Sequence, residues 1–292
     1  MRKLTRMLSA GLACVALTLA AGCGGAGDEG ASNKPVDPEL LVSNPSEALG
    51  ESVERFEDEV QSVEARFSFD MDIGGFAIGA DGTFAYRAPE SVHMTMEMSG
   101  GDGEYFDLGE LGEFEVLILG DDIYMNTGFT GWTTMSLDDL GEDSDSLERL
   151  VESHAPFDYQ GLVDEVGATV EYLGDTTVDG KTYTRLRVTT DIGSLLESVT
   201  DSLGESGLDD SLFPVDLSAP MTMEVLMDPA TMLPYTFEAS ADFGSAGQPA
   251  SFTMAFKFFD YNGPVDIPEA PENAVPFEDA VGDAFGDLGY EE

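Results

Sequence analysis

Phe67-Ser68-Phe69-Asp70-Met71-Asp72-Ile73, followed after Gly74-Gly75 by Phe76-Ala77-Ile78-Gly79-Ala80-Asp81-Gly82-Thr83-Phe84-Ala85-Tyr86-Arg87, is the stretch that decides the fold. In the first run, apolar residues alternate with Ser68, Asp70 and Asp72. In the second, Phe76, Ile78, Ala80, Phe84 and Tyr86 fall on one side, and Asp81, Thr83 and Arg87 on the other. A period of two belongs to a β-strand with one buried and one wet face. Val92, Met94, Met96 and Met98 continue the pattern against His93, Thr95 and Glu97.

Working outward, the same alternation returns several times. Phe114, Val116 and Ile118 lead through Gly120-Asp121-Asp122 into Ile123-Tyr124-Met125. Two strands flank Val178-Asp179-Gly180-Lys181, where Asp-Gly supplies the positive φ of a tight hairpin. The last three are Met221-Met223-Val225-Met227, then Tyr235-Phe237-Ala239-Ala241-Phe243, then Phe252-Met254-Phe256-Phe258. About ten strands result, the longest spanning about 35 Å at ~3.3 Å per residue. Before them, Leu49, Val53, Phe56, Val60 and Val63 recur at helical spacing, with Ser46 after Pro45 as the cap. Ser144 to Val166 and Ile192 to Leu203 also read as helical. A sheet so wide, dry on one face, must curl round a filling. The expected fold is α+β: a strongly curved antiparallel sheet, an open half-barrel, with helices packed on its concave side.

The ends carry separate signals. Arg2, Lys3 and Arg6 precede an uncharged stretch, Met7 to Gly22, too short in its apolar part to cross a bilayer. Leu19-Ala20-Ala21-Gly22-Cys23 then offers small residues before a cut and a thiol for acylation. Residues 1–22 are therefore expected to be a lipoprotein signal peptide, with Cys23 the lipidated residue that anchors the chain outside the cytoplasm. An ordinary secretory signal with a chance Cys is the alternative. Cys14 lies inside the apolar run, so the mature chain would have one acylated Cys and no disulfide. Residues 23–44 read as acylated Cys and flexible tether, 45–267 as the domain, and 268–292 as an acidic tail.

Charge excludes more than it selects. The chain holds 58 Asp and Glu against 12 Lys and Arg, a formal net charge of −46. Such a surface repels nucleic acid and anionic headgroups, so neither a nucleic-acid partner nor a polybasic membrane contact is expected. The membrane would be reached through the lipid alone. Solubility or a salty habitat is the plain account of the charge.

Several local sequences look like one family. Gly120-Asp121-Asp122-Ile123-Tyr124-Met125 with Gly131-Trp132 resembles a hairpin of the LppX/LprG-type lipoproteins. Val170-Glu171-Tyr172-Leu173-Gly174, then Val178 to Tyr183 and Leu186-Arg187-Val188, is similar to their central hairpin. Met223 to Asp228 with Leu233-Pro234, and Phe259 to Ile267 before Pro268, are similar to their closing strands. The resemblance covers roughly residues 50 to 270. It implies the half-barrel of the LolA and LolB carriers, with a cavity for acyl chains of a lipid, glycolipid or lipoprotein. In LolA-type carriers an Arg latches the lid. No residue here matches it, and Arg66, at the helix-to-strand junction, is only a guess.

An acyl pocket needs a dry, deformable lining in place of reactive groups, and Met suits it. The expected lining is Phe67, Phe69, Met71, Phe84, Tyr86, Met94, Met96, Met98, Tyr124, Met223, Val225, Met227, Phe237, Phe256 and Phe258. The alternative is that these side chains fill an ordinary core, in a structural or interaction lipoprotein without a small ligand. No enzyme is expected. His93 falls on a polar strand face, His154 sits in a helical break, and no nucleophile, zinc, phosphate-loop or dinucleotide motif occurs. A hydrolase is a distant third. No cofactor is expected, and no metal site: Asp138, Asp139, Glu142, Asp143 and Asp145 lack the spacing of a calcium loop. A monomer that carries or senses a lipid-like ligand is the expectation.

Overall fold

The computed structural model describes residues 36–89, 91–100, 113–128, 131–136, 167–191, 219–245, 248–277 and 279–280. A helical turn α1 (Leu40–Ser43) and a helix α2 (Pro45–Glu59) open the described chain. The strands are β1 (Ser62–Ile73), β2 (Phe76–Arg87), β3 (Ser91–Gly100), β4 (Glu113–Leu119), β5 (Asp122–Asn126) and β6 (Trp132–Ser136). They continue as β7 (Thr169–Val178), β8 (Lys181–Asp191), β9 (Pro220–Met227), β10 (Pro234–Ser245), β11 (Gln248–Phe259) and β12 (Val275–Pro276).

All of them form one open sheet in the order β12-β6-β5-β4-β3-β2-β1-β11-β10-β9-β8-β7. Two meanders make it. The first, β1 to β6, runs outward from the centre; the second, β7 to β11, runs inward from the opposite edge until β11 pairs with β1. Each pairing is antiparallel except the short parallel contact of β12 with β6. Gly74 and Gly75, at φ 63° and 90°, supply the two positive φ angles of the tight turn between β1 and β2. Asp179 and Gly180, at φ 51° and 82°, do the same between β7 and β8, as their sequence demanded.

Helix α2 begins on Pro45, whose fixed φ suits the first helical position. Its flanking residue is Asn44 rather than Ser46, and the Asn44 side chain donates to Glu47 (Nδ2 to Oε2, 2.6 Å). The helix stops at Glu59, because Val60 turns to extended geometry. Val63, expected on the helical stripe, is therefore a β1 residue facing Tyr86 across the ladder. Leu49 and Phe56 are buried and join one hydrophobic cluster with the apolar side of the sheet.

Leu41 is fully buried, with Val36 and Leu40 packed against the same cluster, so residues 36–44 are not loose tether. At the other end, the chain beyond Pro268 still follows the domain, and Val275–Pro276 lies beside Thr133–Thr134 of β6. The strand β6 was itself missed. Asn262, at φ 58°, fastens the exit of β11 to the start of β1. Its Oδ1 accepts from Gln61 N at 2.6 Å and its Nδ2 donates to Glu59 O at 3.0 Å. The expected helices over 144–166 and 192–203, with His154 and the acidic run 138–145, lie outside the described residues.

Candidate functional site

Register decides which side chains share a face. Phe114, Met96, Gly82, Phe67, Phe256, Phe237, Val225, Leu186 and Tyr172 are successive cross-strand partners from β4 to β7. One step toward the β1–β2 turn runs a second row: Met98, Ala80, Phe69, Met254, Ala239, Met223, Val188 and Val170. Facing pairs on one side of a sheet are within contact distance, so these rows are continuous apolar bands. Met71, Phe84, Tyr86, Met94, Met227 and Phe258 lie on the same side.

Tyr124 does not. It faces Leu117, while its neighbours Ile123 and Met125 face Ile118 and Val116 on the apolar side. Its assignment to the lining is corrected: alternation puts the two aliphatic members of the triplet inward and the phenol outward.

Gly82 allows the longer row to close. A Cβ there would lie 2.3 Å from Phe67 Cζ and from the Thr95 carbonyl oxygen, so the Phe67 ring occupies the place a side chain would take. Phe67 stacks on Phe256 at 5.7 Å, and Phe256 meets Phe237 at 6.4 Å and Phe258 at 6.1 Å. Burial then falls along the strands. Toward the start of β1 and the end of β11, Met94, Val225, Met227, Phe237 and Phe258 are at most 1% exposed. Toward the β1–β2 and β10–β11 turns, Phe69, Met71, Met98, Phe243, Phe252 and Met254 are only partly covered. Phe243, Phe252 and Met254 were left out of the expected lining, although the same alternation marks them.

Helix α2 carries buried charge. Arg55 of α2 is buried and donates to Glu51 Oε1 through Nε (3.0 Å) and Nη2 (2.8 Å), and to Glu59 Oε1 through Nη1 (2.9 Å). A guanidinium buried without partners would be prohibitive, and the i,i+4 spacing supplies two carboxylates. Arg66, the guessed latch, stands exposed on the other face, with its guanidinium 5.6 Å from the Phe259 ring centre.

That other face carries the polar chemistry. His93 Nε2 lies 2.8 Å from Glu115 Oε1 on neighbouring strands. Glu224 accepts from Arg187 at 2.7 Å and Arg185 at 3.2 Å, and these two guanidinium bonds, Arg187 first, hold its carboxyl below the usual range. Lys181 donates to Asp228 Oδ2 at 2.6 Å, which raises its ammonium pKa. Among the described residues, no group of three or more His, Cys, Asp or Glu side chains is arranged to hold a metal ion. Nor is any helix among them long and apolar enough to cross a membrane.

No family model matches the sequence, and none of the curated proteins does. Solved structures do show likenesses. The lipoprotein LppX of Mycobacterium tuberculosis has 18% identity and a TM-score of 0.44, over 80% of this chain and 100% of that one. LprF of Mycobacterium bovis has 12% identity and a TM-score of 0.43, over 80% and 98% of the two chains. A LolA superfamily protein of Nitrosomonas europaea has 10% identity and a TM-score of 0.26, over 78% and 95%. LppX is a namesake of the lipoprotein family that the sequence resembles. At these scores no residue-to-residue correspondence follows, and the site stands on its own registers.

Proposed function

We propose that this chain is an extracytoplasmic lipoprotein, tethered through acylated Cys23, that accepts acyl chains against the apolar face of its sheet. In this reading the sheet curls as a half-barrel, the apolar face is its concave lining, and α2 lies against it. The monomer carries or senses a lipid, glycolipid or lipoprotein and performs no catalysis. The observation that supports it is the division of one continuous apolar face. Its α2 end is sealed, whereas Phe69, Met71, Met98, Phe243, Phe252 and Met254 keep partial access. The acyl chain lies along that second end. Each methylene taken from water there contributes ~0.8 kcal/mol, so an acyl chain binds without any reactive group. Three of these six side chains are Met, which adapts to an irregular guest, and the other three are Phe.

The test uses the chain carrying Cys23→Ser, purified from a lipid-containing host. Native mass spectrometry should show adducts of lipid mass, and a fluorescent fatty-acyl probe should bind saturably. Unliganded mass alone, with no probe uptake, rejects the reading. Metabolic labelling with a palmitate analogue tests the tether: the wild type takes label and Cys23→Ser does not. Near-zero exposure of Val225, Met227 and Phe237 favours a second reading, a packed core in a structural lipoprotein. Under that reading, probe uptake is absent, while Met96→Ala or Met223→Ala still costs stability.

A further inference from the structure

One side chain on the apolar face has its chemistry unspent. Thr190, near the end of β8, is 9% exposed, and among the described residues its buried hydroxyl has no hydrogen-bond partner. Strand parity turns it inward: Leu186, Val188 and Thr190 alternate with Arg187 and Thr189, and Thr190 faces Met221 across the ladder. The other two buried threonines of the described residues are satisfied. Thr184, six residues earlier on the same side of β8, donates to Asp175 Oδ1 at 3.1 Å, and Thr133 to the Met125 carbonyl at 3.2 Å. A second buried polar atom without a partner, Arg187 Nε, belongs to a guanidinium that Glu224 already holds. A hydroxyl taken out of water without a bond costs more than a made bond returns, so each such group in a folded chain calls for an account.

Its place on the sheet supplies one. Met71, Phe252, Ala241, Met221 and Thr190 are successive cross-strand partners from β1 through β11, β10 and β9 to β8. This third apolar row lies at the end of the face where Met71 and Phe252 keep partial access. It reaches Thr190 about 14 Å from Phe252, at ~4.8 Å per strand. Ala241 on the row carries nothing past Cβ, nor does Ala168, which precedes Thr169, the partner of Thr189. Met221 is the bulky neighbour on the row, unbranched and able to swing aside for a guest. Neither this row nor the one beside it, Met98 to Val170, holds a charged side chain. A carboxylate drawn in there loses its hydration with no counter-charge in return. A neutral carbonyl asks only for the single donor that a threonine hydroxyl has.

We infer that Thr190 is the polar anchor of the acyl site: its hydroxyl donates to the ester carbonyl of a neutral acyl ester. The hydrocarbon runs from there along the row toward Phe252 and Met71. This rests on the proposed acyl binding and deepens it, since it selects an esterified ligand over an ionised fatty acid.

The test titrates the Cys23→Ser chain, freed of co-purified lipid, with pyrenedecanoic acid and with its methyl ester at neutral pH. The ester should bind about tenfold more tightly than the acid, the worth of one hydrogen bond. Thr190→Val keeps the shape and removes the hydroxyl, so it weakens the ester about tenfold and erases the preference, whereas Thr190→Ser keeps it. Urea unfolding without probe separates anchoring from packing. A hydroxyl bonded within the protein would make Thr190→Val less stable, whereas an unpartnered one leaves it as stable as the wild type or more so. Equal ester affinity in wild type and Thr190→Val, as a hydroxyl satisfied by water alone would give, overturns the inference and leaves acyl binding standing. Equal weakening of acid and ester, a wild type without preference for the ester, or a lowered urea midpoint in Thr190→Val does the same. Uptake of neither probe by the Cys23→Ser chain rejects the proposed function itself, and this inference with it.

Discussion

Phe256 and Phe252 stand four residues apart on β11, on the same side of the sheet, and their truncations should have different consequences. Phe256 is 5% exposed and enclosed by the rings of Phe67, Phe237 and Phe258. Replacing it with Ala removes a ring whose neighbours are all held by strand registers and cannot collapse into the void. The expected cost is about 4 kcal/mol, toward the middle of the range for buried Phe→Ala. For a domain of this size that lowers Tm by roughly 8–16 °C. Among the described residues, Phe252 has one ring neighbour, Phe69 at 5.7 Å, and is only partly covered. Its truncation should cost about 1–2 kcal/mol. If an acyl chain lies at that end, Phe252→Ala also weakens a fluorescent fatty-acyl probe by about tenfold, whereas Phe256→Ala binds it normally while folded. Calorimetric unfolding and probe titration on the same two preparations decide the matter. A Phe256→Ala cost below about 1 kcal/mol, or loss of probe binding in Phe256→Ala and not in Phe252→Ala, would refute the division of the face into a sealed and an accessible end.

Gly82→Ala places a Cβ against both the Phe67 ring and a backbone carbonyl. Only the ring can rotate away, so a loss of about 2–3 kcal/mol in urea unfolding is expected, and a neutral result would mean the strands part more easily than their register implies. Asn262→Ala removes two bonds that tie the end of α2 and the start of β1 to the exit of β11, at a positive φ that Ala tolerates poorly. A loss of about 2–3 kcal/mol should appear in thermal unfolding. Glu224 has its folded pKa held down by Arg187 and Arg185, so its contribution is present above the ordinary carboxylate range and is lost as pH falls through its lowered value. The difference in Tm between wild type and Glu224→Gln should therefore shrink on acidification; a difference independent of pH would contradict the pairing.

What the sequence disclosed depended on how local each signal was. Strands β1, β2, β3, β9, β10 and β11 were legible because one buried face imposes a period of two on eight to twelve residues. Strand β6, Trp132-Thr133-Thr134-Met135-Ser136, was not. Its inward positions hold Thr133 and Met135, and Thr133 satisfies its hydroxyl on the Met125 carbonyl, so no hydrophobic alternation marks it. Strand β12 is two residues beside Pro-rich chain, an edge pairing that proline permits and pattern reading overlooks. Tyr124 was assigned by its chemistry when parity within Ile123-Tyr124-Met125 already pointed it outward.

The cations of the outer face were beyond local reading for a different reason. Arg66 and Lys257 are 191 positions apart in the chain, and nothing near either residue announces the other. They meet because the first long strand waits, through the whole first meander and most of the second, for β11 to arrive beside it. The same late pairing brings Phe67 to Phe256 on the apolar side. One junction therefore sets the aromatic centre of the apolar side and the adjacent cations of the other. A register slip of a single residue of β11 against β1 would turn that strand over, setting Lys257 among the buried rings. Burial of the Phe67 row excludes that slip at a cost of several kcal/mol per buried charge. Burial of the apolar face thus holds the cationic one in place.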